Sequence, residues 1–303
     1  MRALVTGGAG FIGSNLVEAL VERGDHVTVV DNLSTGAKSN LDAVKDKVRL
    51  VEASCINIAE LEVPSPDIIF HIGIPSSTPM YRENRFITGD AIKEFISIME
   101  FAKKGPTRVV YASTSSLYRG CKKPYTEDMR AEPFDFYTEA RIAMENIASV
   151  YNQFDGVPSA GMRFFSVYGP HEEAKKNYAN MISQILWSML KKKKPVIYGD
   201  GNQTRDFIHV NDIVAGCLAA AEADFECEAI NLGTGRETSF NEVIAILNDT
   251  LGTSIDAEFV DNPIQNYVIE TQADNSKAKA LLGWEPEIEL EDGIAMLVKN
   301  EKK

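Results

Sequence analysis

Cysteine and histidine are scarce in this chain. Its 303 residues contain four of each. Cys55, Cys121, Cys217 and Cys227 form no CxxC pair, so neither a disulfide framework nor a thiolate zinc site is indicated. His26, His71, His171 and His209 form no HExxH motif, which removes a common zinc-hydrolase pattern. No apolar run approaches the roughly 20 residues of a membrane span. The opening MRALVTGG enters structure at once and lacks a leader layout. Positive charge is also short. Lys and Arg number 31 against 44 Asp and Glu, a formal net charge of −13. That argues against a broad nucleic-acid-binding face and means that an anionic ligand needs a local positive pocket. The run Lys191–Lys194 follows an apolar helical stretch and precedes Pro195, as a solvated helix end would. The expected location is a reducing cytoplasm, with no membrane or nucleic-acid partner.

What is present is an ordinary globular composition, 44% hydrophobic and 25% charged, long enough for one large or two modest domains. The N-terminal half alternates short β-type runs with helical patterns. Strands are expected at 3–7, 26–31, 48–53, 66–73, 107–113 and 158–164. Helices are expected at 11–24, 91–105 and around 136–153. Such alternation predicts βαβ units: an α/β fold with a Rossmann-type, doubly wound parallel sheet. After about residue 165 the pattern loosens into turn-rich stretches and helices at 211–223 and 239–252. The second half is therefore expected to pack onto the first, with the change of pattern near residue 165.

TGGAGFIG (6–13) leaves the first strand and opens a helix. Its glycines allow a tight turn, close backbone approach to a pyrophosphate and close helix–strand packing. The helix N-terminus supplies free N–H groups to the phosphates. Asp31 ends the second strand, 18 residues after Gly13. A carboxylate there grips an adenosine ribose and repels a 2′-phosphate, which favours NAD over NADP.

YASTSSLY (111–118) places hydroxyls at the sheet's carboxyl edge, where ligands bind in open α/β sheets. On the following helix, Tyr137 and Arg141 lie one turn apart and share a face. A phenol beside a cation can serve as a base, because nearby positive charge favours the phenolate.

These motifs come in the order found in a known family. The chain resembles the extended short-chain dehydrogenase/reductases, specifically nucleotide-sugar epimerases of the UDP-glucose 4-epimerase type. The resemblance runs end to end through VTGGAGFIGSNLVEAL, VDNLSTG, VVYASTSSLY, FYTEAR, MRFFSVYGP, IYGDGNQTRDFIHVNDIV, NLGTG and ADNSKAKALLGW. It implies a dinucleotide-binding Rossmann domain at 1–165 and a smaller α/β C-terminal substrate domain at 166–303, interleaved by chain crossovers, with NAD as cofactor, a UDP-sugar as substrate and epimerisation through a transient 4-keto sugar. By the same resemblance Thr114 bonds the reacting hydroxyl, Tyr137 is the base and Arg141 stands for the usual lysine. Gly7, Gly10, Phe11, Ile12 and Gly13 would cradle the pyrophosphate. Asp31, Asn32, Ser34, Thr35 and Gly36 would hold the adenosine ribose. Ser54, Cys55, Ile72, Gly73 and Ile74 would line the cofactor cleft, with Tyr137, Arg141 and Phe165 near the nicotinamide. Ser77, Thr114, Ser166, Asn180, Val196, Tyr198, Arg205 and Tyr267 would meet the substrate. Arg205 supplies the cation that a diphosphate needs, the alternative being an ion pair with Asp200 or Asp206. Ser115 and Ser116 stand where related dehydratases and decarboxylases carry acids, which favours simple epimerisation. A homodimer through the helices at 91–102 and 139–150 is expected.

The chain departs from the family pattern at Arg141, Ser54, Ile72–Ile74, Ala91, Arg119 and Asn262. Arg141 is larger and planar where the family has a compact ammonium. That leaves open another nucleotide-sugar epimerase or reductase, or an NAD-binding relative without turnover.

Overall fold

The structure is a computed structural model and describes residues 1–130, 132–262 and 267–301. Its N-terminal elements are β1 (Arg2–Thr6), α1 (Phe11–Glu22), β2 (His26–Asp31), β3 (Val48–Glu52), β4 (Ile68–His71), α2 (Thr78–Glu83), α3 (Ile87–Ala102), β5 (Arg108–Thr114), α4 (Phe136–Asp155) and β6 (Ser159–Phe164). Then come β7 (Ser166–Tyr168), α5 (Met181–Leu190), β8 (Val196–Tyr198), β9 (Thr204–Arg205), β10 (Phe207–His209) and α6 (Val210–Glu222). The chain ends with β11 (Cys227–Leu232), β12 (Thr238–Ser239), α7 (Phe240–Leu251), β13 (Glu258–Val260), α8 (Ser276–Leu282) and α9 (Leu290–Glu301).

Seven parallel strands form one sheet in the order β11-β6-β5-β4-β1-β2-β3. Strands such as IIFH in β4 are buried throughout, as continuous apolar runs with helices on both sheet faces must be. The alternation read from the sequence accounts for six of these strands. The seventh, β11, lies in a stretch read only for its NLGTG turn. It pairs with β6 from Cys227↔Ser159 to Leu232↔Phe164, so the chain returns to the sheet after leaving it.

The order reverses between β1 and β4, and a crevice forms at the carboxyl ends of strands that diverge there. The glycine loop follows β1, and residues 72–76 follow β4. The two segments nearly touch: a Cβ on Gly7 would lie 2.2 Å from Gly73 Cα. A second buried cluster, with Tyr168, Ile185, Leu186, Phe240, Leu247, Ile294 and Leu297, joins α5, α7 and α9. Lys191–Lys194 are exposed beyond α5. Among the described residues, no helix is long and apolar enough to cross a membrane.

Candidate active site

The crevice holds a cavity of about 430 Å³. Fifteen of the predicted cofactor residues line it: Gly7, Gly10, Phe11, Ile12 and Gly13; Asp31, Asn32, Ser34, Thr35 and Gly36; and Ser54, Cys55, Ile72, Gly73 and Ile74. The glycines are there because side chains would not fit. A Cβ on Gly13 would sit 2.0 Å from the Gly7 carbonyl oxygen, and one on Gly36 would sit 2.7 Å from that of Ala9. Helix α1 starts at Gly10 with no side-chain cap, so its first N–H groups face the cavity free.

Asp31 does more than its spacing indicates. Its carboxylate accepts from Ala9 N at 2.9 Å and from Leu33 N at 2.7 Å. It thus ties the glycine loop to the 32–36 loop, while burial pushes its carboxyl above the ordinary aspartate value. At the far end, Ser54 Oγ donates to Glu94 Oε1 at 2.7 Å. Glu94 therefore brings a carboxylate to the wall where Ser54 has none. No motif marks Glu94, which reaches the cavity only because α3 packs over β4. A glycine cradle, an uncapped helix start and a carboxylate in the cavity wall fit NAD.

A second cavity of about 260 Å³ includes Ser115, Ser116, Ser166, Arg205 and Tyr267 in its lining, with Arg82, Arg119 and Asp135. Residues 75–82 separate the two cavities: Pro75, Ser76 and Met80 face the first, and Thr78, Pro79 and Arg82 the second. Ser77 lies between, at the N-cap position of α2 but with no side-chain capping bond. Its Oγ is buried without a hydrogen-bond partner among the described residues.

Tyr137 and Thr114 are both buried and line neither cavity, while their chain neighbours Thr138, Ser115 and Ser116 line the second. Tyr137 is in the first turn of α4. There Asp135 caps the helix by accepting from Thr138 N at 2.8 Å, and Thr138 Oγ1 accepts in return from Asp135 N at 3.0 Å. An anion in this turn lies at the favourable end of the helix dipole. Two turns on, Glu145 accepts from Arg163 Nη2 at 2.7 Å and Nε at 3.0 Å. That buried bidentate pair clamps α4 to β6 and so fixes where Tyr137 stands. Glu145 also accepts from Ser113, so Ser113 is structural. Thr114 Oγ1 accepts from Ser116 N at 3.2 Å, which leaves its own proton free to donate.

Arg141 does not extend toward a cavity. It is 2% exposed and its Nη2 donates to the Pro75 carbonyl at 2.8 Å. Its guanidinium carbon lies 5.0 Å from the centre of the Tyr137 ring, a cation–π arrangement. The Pro75 carbonyl also accepts from Tyr81 OH at 3.1 Å, and the Tyr81 ring centre lies 5.4 Å from that of Tyr137. Burial pushes the Tyr81 phenol up, opposed by the Arg141 charge. Burial, then that same charge, pushes His71 down to about 3, so His71 is neutral here and bonds Thr6 Oγ1 at 2.7 Å. The arginine expected to meet the cofactor is instead a buried brace.

The other predicted residues divide. Phe165 is buried, stacked near Tyr118 and Tyr125. Arg205 makes neither of the ion pairs posed as its alternative. It donates to the Thr204 and Ile269 carbonyls and lies 5.1 Å from the Tyr267 ring centre. The Asp206 carboxylate accepts from Thr234, Gly235 and Ala273, and Asp200 from Asn202. Asn180 caps α5 and donates to the Val167 carbonyl at 2.9 Å. Val196 and Tyr198 are exposed on β8, outside the second cavity.

The sequence model of the NAD dependent epimerase/dehydratase family matches residues 3–233. A putative UDP-glucose 4-epimerase of Methanocaldococcus jannaschii is 34% identical over 97% of this chain and 96% of its own length. The crystal structure of the Thermotoga maritima UDP-glucose 4-epimerase with UDP-glucose has a TM-score of 0.93 at 30% identity, covering 100% of this chain and 99% of that one. The Bacillus cereus UDP-glucuronic acid 4-epimerase, solved with UDP-glucuronic acid and NAD, has a TM-score of 0.87 at 26% identity, with 100% and 99% covered. The chain belongs to the NAD dependent epimerase/dehydratase family, and its cofactor is NAD.

Proposed function

We propose that this protein interconverts the C4 epimers of a UDP-hexose, UDP-glucose and UDP-galactose being the simplest pair. What supports this reading is the second cavity, which is lined by Ser115 and Ser116 next to Thr114 and by Asp135 and Thr138 on either side of Tyr137, and which has no free acid. Asp135 is the one carboxylate among the described residues lining the second cavity. It is engaged by Thr138 N and by Thr78 Oγ1 at 2.9 Å. Expelling water or assisting decarboxylation needs an acid beside the sugar, and Ser115 and Ser116 provide none.

What NAD supplies when bound is a reversible hydride acceptor for C4, so the reaction has no net redox change. Tyr137 takes the proton of the C4 hydroxyl and later returns it. Thr114 donates a hydrogen bond to the same oxygen and so resists misalignment of the proton path. Arg205 holds the diphosphate. Incubation with UDP-galactose should yield UDP-glucose without accumulation of NADH. No interconversion, with or without added NAD⁺, would reject the reading.

One observation favours a second substrate. Arg82 and Arg119 line the same cavity as Ser115 and Ser116, and Arg119 stacks on Phe134. Two cations beside the sugar suit a uronic acid, whose carboxylate they would pair. Replacing both by glutamine should then lower turnover of UDP-glucuronate more than that of UDP-glucose. For assembly, Ile96 on α3 with Val150 and Phe154 on α4 leaves apolar surface exposed. A second copy would cover it, which sedimentation can test.

A further inference from the structure

Among the described residues lining the cofactor cavity, Lys175 is the only cation, against Asp31, Asp90 and Glu94. A pyrophosphate brings negative charge into an already acidic protein, so this one ammonium carries weight. It comes from the far half of the chain, on the loop between β7 and α5. That loop is fastened across the start of α1. Ser14 Oγ bonds His171 Nδ1 at 2.9 Å, Asn15 Nδ2 donates to the Pro170 carbonyl at 3.2 Å, and Asn40 Nδ2 donates to the His171 carbonyl at 3.5 Å. His171 and Lys176 have positive φ, 75° and 50°, so the loop is folded back onto the glycine turn at some conformational cost.

Lys175 is mostly buried there, its side chain 16% exposed. Its Nζ lies 5.2 Å from the centre of the Phe11 ring, over the first residue of α1. Its ion-pair partner is Glu172, 3.3 Å away and 1% exposed. Glu172 does not depend on that pair for its hydrogen bonds, since its carboxylate also accepts from Asn180 N at 2.9 Å and from Ser183 Oγ. An ammonium has three donors, so two remain for the cavity.

We propose that Lys175 is a cofactor-binding residue that neutralises the NAD pyrophosphate across from the free N–H groups of α1. Glu172 aims it, and the same carboxylate holds the backbone of Asn180 at the start of α5. The cofactor charge and the substrate half are thereby tied through one buried acid. This rests on NAD being the ligand of that cavity.

The test is binding rather than turnover. NADH titration by fluorescence should show Lys175→Met, which keeps length and packing, weakening Kd about tenfold or more. Lys175→Arg should restore most of the affinity. Binding of ADP-ribose should fall in parallel, while that of adenosine, which lacks phosphate, should not. The salt dependence of NADH binding should also flatten in Lys175→Met. Unchanged NADH affinity, or equal losses for adenosine and ADP-ribose, would overturn the assignment. Failure of the native protein to bind NADH would instead remove the NAD reading beneath it.

Discussion

The Arg141 guanidinium lies 5.0 Å from the centre of the Tyr137 ring while its Nη2 is spent on the Pro75 carbonyl at 2.8 Å. The cation therefore acts on the tyrosine from the protein side, through the ring face, and anchors the wall that divides the two cavities. Its Nε is buried without a hydrogen-bond partner among the described residues, so the site tolerates one unmade bond to keep the charge there.

Tyr137→Phe keeps the ring against Tyr81 and Arg141 and removes only the ionisable oxygen. Turnover should fall on the order of 100-fold or more, the usual worth of a general base. NADH affinity and thermal stability should stay near native. Steady-state assay, NADH titration and calorimetry check the three together, and retained turnover would exclude Tyr137 as the base.

Arg141→Ala should cost about 2 kcal/mol of stability or more, since it removes a charged donor to Pro75 and leaves a void. Turnover should drop at least tenfold as the 75–82 wall loosens. Arg141→Lys keeps the charge and should lose less on both counts. Urea unfolding and initial rates measure this. A lysine variant faster than the native enzyme would contradict the bracing role.

Asp31→Asn preserves shape but turns an N–H donor toward one of two backbone donors, Ala9 N or Leu33 N. NADH should bind about tenfold more weakly, and the preference for NADH over NADPH should narrow as the charge repelling a 2′-phosphate disappears. Paired titrations with both nucleotides read this ratio.

His71 has its folded pKa lowered by burial to about 3, below the ordinary imidazole value of about 6.5. Below 6.5 the unfolded chain binds a proton that the folded one does not, so the His71 contribution is full above 6.5 and is lost as pH falls toward 3. His71→Gln cannot titrate. The stability difference between native and variant protein should therefore shrink between pH 7.5 and pH 5 in urea unfolding. A difference independent of pH would show that folding leaves the His71 pKa unshifted.

Much of the cofactor half was legible because its signals are local. A βα turn that must approach a pyrophosphate demands glycine, and the Gly7, Gly13 and Gly36 contacts show why no other residue fits. Alternating apolar runs located six strands. The seventh, β11, was hidden because its outer half is only partly buried and its reading ended at a turn motif. Lys175 and Glu94 were not legible at all. Neither sits in a spacing pattern, and each reaches the cavity by packing of an element distant in sequence. Ser113 and Thr114 look alike in sequence, yet one is taken by Glu145 and the other keeps a free proton.

By itself, the order of local motifs determined the parallel sheet, the dinucleotide crevice and the candidate base at Tyr137. Backbone sterics and hydrophobic periodicity act over a few residues and are written into the chain directly. Only the tertiary structure decided what the charges do. It turned Arg141 inward as a brace, bound Asp31 to the loop it supports, and carried Lys175 over Phe11 from more than half the chain away. Electrostatic roles depend on burial and on partners brought together by folding, and spacing along a sequence does not contain them.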